Sequence, residues 1–154
     1  MHYTQMKYGL VVLLVLFSLE SFSQSKRLEK ANEIFEAGEY YRAIKPYKRA
    51  MKKLRSREER AKVYYKIGIC YYNIGNYRRA RTYLRRVPRY DEDNKDSYFL
   101  LADVYKLLDK YDLALEVYRD YKTKFSDDSI ADLEIQSCEL ALKWLEEPTR
   151  FKVN

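Results

Sequence analysis

Residues 64–84 read YYKIGICYYNIGNYRRARTYL, and residues 98–118 read YFLLADVYKLLDKYDLALEVY. Laid over one another, Tyr64, Ile67, Gly68, Tyr71, Gly75, Tyr77, Ala80 and Leu84 return 34 residues later as Tyr98, Leu101, Ala102, Tyr105, Asp109, Tyr111, Ala114 and Tyr118. An earlier copy, 37 residues upstream, keeps Gly38, Tyr40, Ala43 and Tyr47, with Ala31 and Ile34 in its first half. Three residues are therefore inserted in or after the second helix of that copy. A period of this length is that of a helical hairpin that cannot bury its apolar face alone and is completed by its neighbours.

The spacing carries a packing argument. A small residue at 68 or 102 lets the two helices of a hairpin approach closely, and Ala43, Ala80 and Ala114 do the same from the second helix. Tyr40, Tyr77 and Tyr111, two residues past each turn, plug the gap to the next hairpin. The expected fold is all-α: a solenoid of about three hairpins (24–57, 58–91 and 92–125), a capping helix over 126–147 and a tail over 148–154.

Local signals agree with this register. Ser56-x-x-Glu59 has the form of a capping box opening the second repeat. Gly38 and Gly75 stand where a chain leaving a helix turns left-handed, and Asp109 adopts that conformation at modest cost. Pro46 removes a backbone hydrogen bond inside the second helix of repeat one, so a kink or a loosened hairpin is expected there. Ser126-Asp127-Asp128 offers an N-cap for the last helix. Ile130, Leu133, Ile135, Cys138, Ala141, Leu142 and Leu145 give that helix a broad apolar face, Asp132, Glu134 and Glu139 stay wet, and Trp144 closes the end.

Over about 100 residues this pattern resembles the tetratricopeptide repeat, with Tyr in place of the family's first-helix Trp and without its closing Pro. The resemblance implies a protein-binding stack in which the first helix of each repeat lines the concave face. Phe35, Tyr65, Ile69, Tyr72, Phe99, Asp103 and Lys106 then form an aromatic groove, although each ring could instead cover a neighbouring helix. Aromatic side chains are frequent energetic anchors of interfaces, so an extended peptide or a partner helix is the expected ligand. The second helices carry a basic face of Arg42, Lys45, Lys48, Arg49, Lys52, Lys53, Arg78, Arg79, Arg81, Arg85 and Arg86.

At the N-terminus, Lys7 precedes an apolar run from Gly9 to Phe17, with Ser21 and Ser23 ahead of Gln24. That order is a signal peptide, with cleavage expected after Ser23. The run is about half the ~20 residues that cross a bilayer, which argues against a permanent anchor. No Cys follows it to carry a lipid. Export argues against nucleic acid as a partner, so the net charge of +7 has another use. Residues 24–89 hold 20 Lys/Arg against 6 Asp/Glu, whereas residues 90–154 hold 9 against 16.

The single His is His2, inside the signal, so the mature chain has no imidazole for acid–base chemistry or metal binding. With no Gly-rich phosphate loop and no nucleophile elbow either, the expectation is a non-enzyme without cofactor, metal or small-molecule substrate. Cys70 and Cys138 lie two periods apart. Packed helices are ~8–10 Å apart, so the pair exceeds the ~7 Å Cα limit for a disulfide, and both are expected as buried free thiols.

The order of signal, three repeats and a helix leading to Pro148-Thr149-Arg150-Phe151 resembles the N-terminal region of OmpA-like peptidoglycan-associated envelope proteins. Those proteins join a tetratricopeptide module to a PD40 propeller and an OmpA-type domain, and they include PorE-like components of type IX secretion. The resemblance implies a periplasmic, outer-membrane-associated adaptor whose partners are proteins of an envelope assembly. Two alternatives stay open: a basic face that docks on an anionic envelope surface, and a structural protein that assembles head to tail through its basic and acidic halves.

Overall fold

The computed structural model describes residues 26–125 and 129–146, and every regular element among them is helical. The signal peptide, its cleavage point, the Ser126–Asp128 cap and the tail fall outside the described residues. The chain divides into two compact units, one up to Arg55 and one from Ser56. The first holds α1 (26–36) and α2 (Tyr40–Met51). The second holds α3 (Arg57–Asn73), α4 (Tyr77–Leu84), a 3-10 turn at Val87–Arg89, α5 (Lys95–Lys106), α6 (Tyr111–Phe125) and α7 (Ser129–Glu146).

Hairpins form where the sequence ends one helix and starts the next within three or four residues. At the ends of α1, α3 and α5, Gly38, Gly75 and Asp109 take left-handed φ values of 75°, 73° and 56°. At each turn two amides fold back on the departing helix, as where Gly75 N–H donates to Tyr72 O and Asn76 N–H to Tyr71 O, both at 2.9 Å. The same pair recurs at Gly38/Glu39 and Asp109/Lys110. The starts of α3, α4 and α5 are fixed by side-chain caps: Ser56 accepts from Glu59 N–H at 3.3 Å, Asn76 from Arg79 N–H at 3.3 Å and Asn94 from Ser97 N–H at 3.0 Å. These bonds satisfy amides that have no intrahelical partner.

Packing within each hairpin follows the small-residue register. Ala31, Gly68 and Ala102 from first helices and Ala43, Ala80 and Ala114 from second helices are all buried. At Gly68 the contact is direct, since a Cβ there would meet Leu84 Cδ2 at 2.5 Å. The position of Leu84 is Tyr47 one repeat earlier and Tyr118 one repeat later, both fully buried. Their hydroxyls donate back to the first helix, Tyr47 to Asn32 at 2.8 Å and Tyr118 to Asp103 at 2.6 Å. In the middle repeat the same two sites are Ile69 and Leu84, an apolar replacement for the hydrogen bond.

The inserted residues fall after α2, at the front of α3, which runs 17 residues against 12 in α5. Helix α2 is unbroken through Pro46 over its 12 residues. Pro46 sits past the first turn, where only the carbonyl of exposed Arg42 loses a donor, and water can replace it. The face of α7 is narrower than expected, with Ala131 and Cys138 buried but Leu133, Leu140, Trp144 and Leu145 exposed. Trp144 is 62% exposed and closes nothing.

The two kinds of glycine separate in a mutational test. A methyl group at Gly75 would meet nothing within 4 Å, so Gly75→Ala is expected to cost only its left-handed backbone, about 1 kcal/mol. Gly68→Ala gains helix propensity yet forces the buried Leu84 to shift, and is expected to cost about 1–3 kcal/mol. Urea unfolding checks both, and only the Gly68→Ala penalty is expected to shrink in a Leu84→Ala background.

Candidate functional site

The side chains expected to form an aromatic groove divide by what they touch. Phe35 belongs to the first unit, where it packs edge-on against Tyr40 and Tyr47 at 5.5 and 6.1 Å between ring centroids. Phe99 is also committed to its own hairpin, edge-on to Tyr118 at 5.3 Å and to Tyr121 at 4.8 Å. For these two rings the covering role holds.

Tyr65, Ile69 and Tyr72 differ. They recur every three or four residues along α3 and are half-buried. Of the three, Tyr72 touches the next helix, edge-on to Tyr77 at 5.8 Å. The phenol of Tyr65 is pushed up to about 12, first by burial and then by the charge of Asp96 on α5. Burial, Asp103 and Tyr77 raise that of Tyr72. In both cases the charge of a carboxylate on α5 adds to the effect of burial.

Asp103 and Lys106 are already in use. Asp103 accepts the Tyr118 hydroxyl, which, with burial as the larger cause, holds that phenol far above its ordinary range. Lys106 forms a half-buried ion pair with Glu134 of α7. Burial alone would lower the ammonium, but the hydrogen bond and charge of Glu134 override it and leave it raised. Glu134, expected to stay wet, is thus turned inward. Sequence periodicity placed it correctly on the helix; its partner depends on how α7 lies against α5. On the other flank of α7, Arg119 and Lys122 of α6 pair with Glu139 and Asp132.

Of the eleven basic residues, nine are exposed, and Lys48 and Arg81 are half-buried. Arg42 pairs with Glu39 within α2. On α4 and just beyond it, Arg79 lies over Tyr71 and Arg86 over Tyr64, each at 5.6 Å from the ring centroid. Tyr64 also stacks on Tyr90 at 5.4 Å, and Arg57 covers the far ring at 5.9 Å. Two guanidiniums thus bracket a pair of tyrosines, a cation–π arrangement that a count of charges does not reveal. Arg78, Arg81 and Arg85 have no carboxylate partner among the described residues.

Family models described as tetratricopeptide repeat match residues 62–92 and 95–121. These two segments are tetratricopeptide repeats. They coincide with the α3/α4 and α5/α6 hairpins, and the tetratricopeptide fold extends over most of the chain. The first TPR domain of Spaghetti (RPAP3), bound to the HSP90 peptide SRMEEVD, matches with a TM-score of 0.66 at 17% identity, over 78% of this chain and 93% of that one. The second TPR domain of human RPAP3, in complex with the HSP70 peptide SGPTIEEVD, gives 0.64 at 18%, over 73% and 92%. The MamA protein gives 0.67 at 21%, over 80% and 69%. Identities this low establish the fold alone. Among proteins of curated function none matches.

Cys70 and Cys138 are free and buried, as the period implied. Burial pushes the Cys70 thiol up to about 12 and raises that of Cys138. Both therefore act as small apolar side chains rather than nucleophiles. Among the described residues no group of His, Cys, Asp and Glu has the arrangement of a metal site, and no helix is long and apolar enough to cross a membrane.

The tyrosine shifts carry a pH dependence. In the unfolded chain Tyr65 ionises near its ordinary 10, and in the fold near 12. Its stabilising effect is whole below pH 10 and is lost as pH rises from 10 to 12. Urea midpoints measured across that window are expected to fall, and to fall less for Tyr65→Phe, which keeps the ring without the ionisable hydroxyl.

Proposed function

We propose that this protein is an exported, non-enzymatic adaptor of the periplasm, associated with the outer membrane, that holds a protein partner of an envelope or secretion assembly on the first-helix face of its repeats. The observation that carries the reading is the strip of Tyr65, Ile69 and Tyr72. It stays half-exposed on α3 even with Tyr72 packed against Tyr77 of the same hairpin. Large aromatic surface left over in this way is characteristic of interface anchors. Two structural neighbours hold peptides, of HSP90 and of HSP70, which supports a protein ligand for this fold. The apolar run from Gly9 to Phe17 behind Lys7 supports export, and the order of signal and repeats supports a place among the OmpA-like and type IX secretion proteins.

The proposed groove is smaller than the sequence pattern implied. Phe99 is part of the core, and Asp103 and Lys106 have partners inside the chain, so Tyr65 and Tyr72 are the side chains to test. Crosslinking of the tagged full chain in cells, followed by purification from the envelope fraction, is expected to recover one specific protein. The Tyr65→Ala/Tyr72→Ala variant is expected to lose it while circular dichroism stays helical. Equal recovery with both chains would refute the groove. Deletion of residues 1–23 is expected to keep the protein out of the envelope fraction altogether.

A second reading rests on α4. Arg78, Arg81 and Arg85 lack carboxylate partners, which suits a basic face docked on an anionic envelope surface. Attachment by that face would weaken steeply with salt, whereas a partner gripped by tyrosines would not.

A further inference from the structure

The first-helix face does not end at α5. Helix α7 keeps the register of the repeats on the side that meets the preceding hairpin. Positions 63, 97 and 131 are Val, Ser and Ala, positions 70, 104 and 138 are Cys, Val and Cys, and all six are buried. It abandons the register where a second helix would pack. Tyr64/Tyr98, Gly68/Ala102 and Tyr71/Tyr105 become Asp132, Gln136 and Glu139. Helix α7 thus has the inner face of a first helix and polar residues where a second would pack. Its groove positions nevertheless remain apolar: Leu133 follows Tyr65 and Phe99, and Leu140 follows Tyr72 and Lys106. Leu133 is 64% and Leu140 46% exposed. The Lys106–Glu134 pair ties α7 to α5 on this same side.

The charges along this face are unequally satisfied. Lys62 is held by Glu58 at 2.5 Å, Lys106 by Glu134, and Lys66 is engaged as well. Asp96 forms no ion pair among the described residues, and Asp103, which accepts from Tyr118, shares the charge of Lys106 with Glu134. The uncompensated charge is negative, and it lies on α5 between the apolar rows of α3 and α7.

Resting on the groove reading above, we propose that the occupant of this face is a basic, apolar segment of a partner protein: aliphatic or aromatic side chains seated on Tyr65 and Tyr72 at one edge and on Leu133 and Leu140 at the other, with a Lys or Arg between them at Asp96 and Asp103. An acidic segment would meet the carboxylates of exposed Asp96 and half-buried Asp103, where like charge is costly.

The test is selection of random twelve-residue peptides displayed on phage against the full chain, with affinities of the enriched peptides measured on variants. Enrichment of Lys or Arg flanked by Leu, Phe or Trp is expected. Leu133→Ser/Leu140→Ser, both at exposed sites, is expected to weaken those peptides about tenfold. Asp103→Asn, which still accepts from Tyr118, is expected to weaken them about fivefold. Acidic peptides that depend on Tyr72 would overturn the proposed chemistry and leave the groove standing. Peptides indifferent to Tyr65, Tyr72, Leu133 and Leu140 would overturn both, as would no enrichment at all. A concentration-dependent dimer abolished by Leu133→Ser/Leu140→Ser would assign the face to a second copy and overturn the proposal.

Discussion

The contact between Gly68 and Leu84 sets the spacing on which the rest of the second unit depends. With no side chain at 68, α4 lies close enough for Leu84 to fill the space a Cβ would occupy. The flanking repeats solve the same problem with Ala and a buried Tyr, whose hydroxyl must then find an acceptor. Asn32 and Asp103 provide it. One inter-helix distance therefore decides whether the facing residue is apolar, as Ile69 is, or polar, as Asp103 is. That choice in turn decides the charge of the face presented to a partner.

Tyrosine lets hairpins of two thin helices be both stable and wet. Tyr47 and Tyr118 are buried to the hydroxyl, whereas Tyr64 and Tyr71 keep their rings inside and lie beneath the guanidiniums of Arg86 and Arg79. Part of the basic surface is consequently a cover for aromatic surface, not only a field for anions. A stack that is never more than a helix or two from solvent can bury such rings without orphaning their polar ends.

Helix α7 obeys a different rule from the hairpins before it. Helix α7 is held by small residues beneath it and by ion pairs on both flanks, Lys106 with Glu134 and Arg119 with Glu139. Exposed pairs of the second kind are individually weak. Burial of Ala131 against Tyr98 and Tyr121 secures the helix, and its remaining apolar residues stay available. The polar positions Asp132, Gln136 and Glu139 stand where a second helix would pack, and Leu133 and Leu140 stay exposed on the groove side.

The sequence alone determined the hairpins. The left-handed turns at Gly38, Gly75 and Asp109, the Ser56 cap and the small residues at 68 and 102 are local or periodic features, and backbone sterics read them in the same way in any context. It also determined that Cys70 and Cys138 stay apart, because two periods separate them. Tertiary structure alone decided which groove residues remain available. Phe99, Asp103 and Lys106 share a periodic position with Tyr65, Ile69 and Tyr72, yet they are taken up by Tyr118, Tyr121 and Glu134, side chains 15 to 28 residues away. Periodicity assigns a residue to a face of its own helix. Whether that face is satisfied depends on the distance and angle of the next helix, which are set by packing across the repeat boundary.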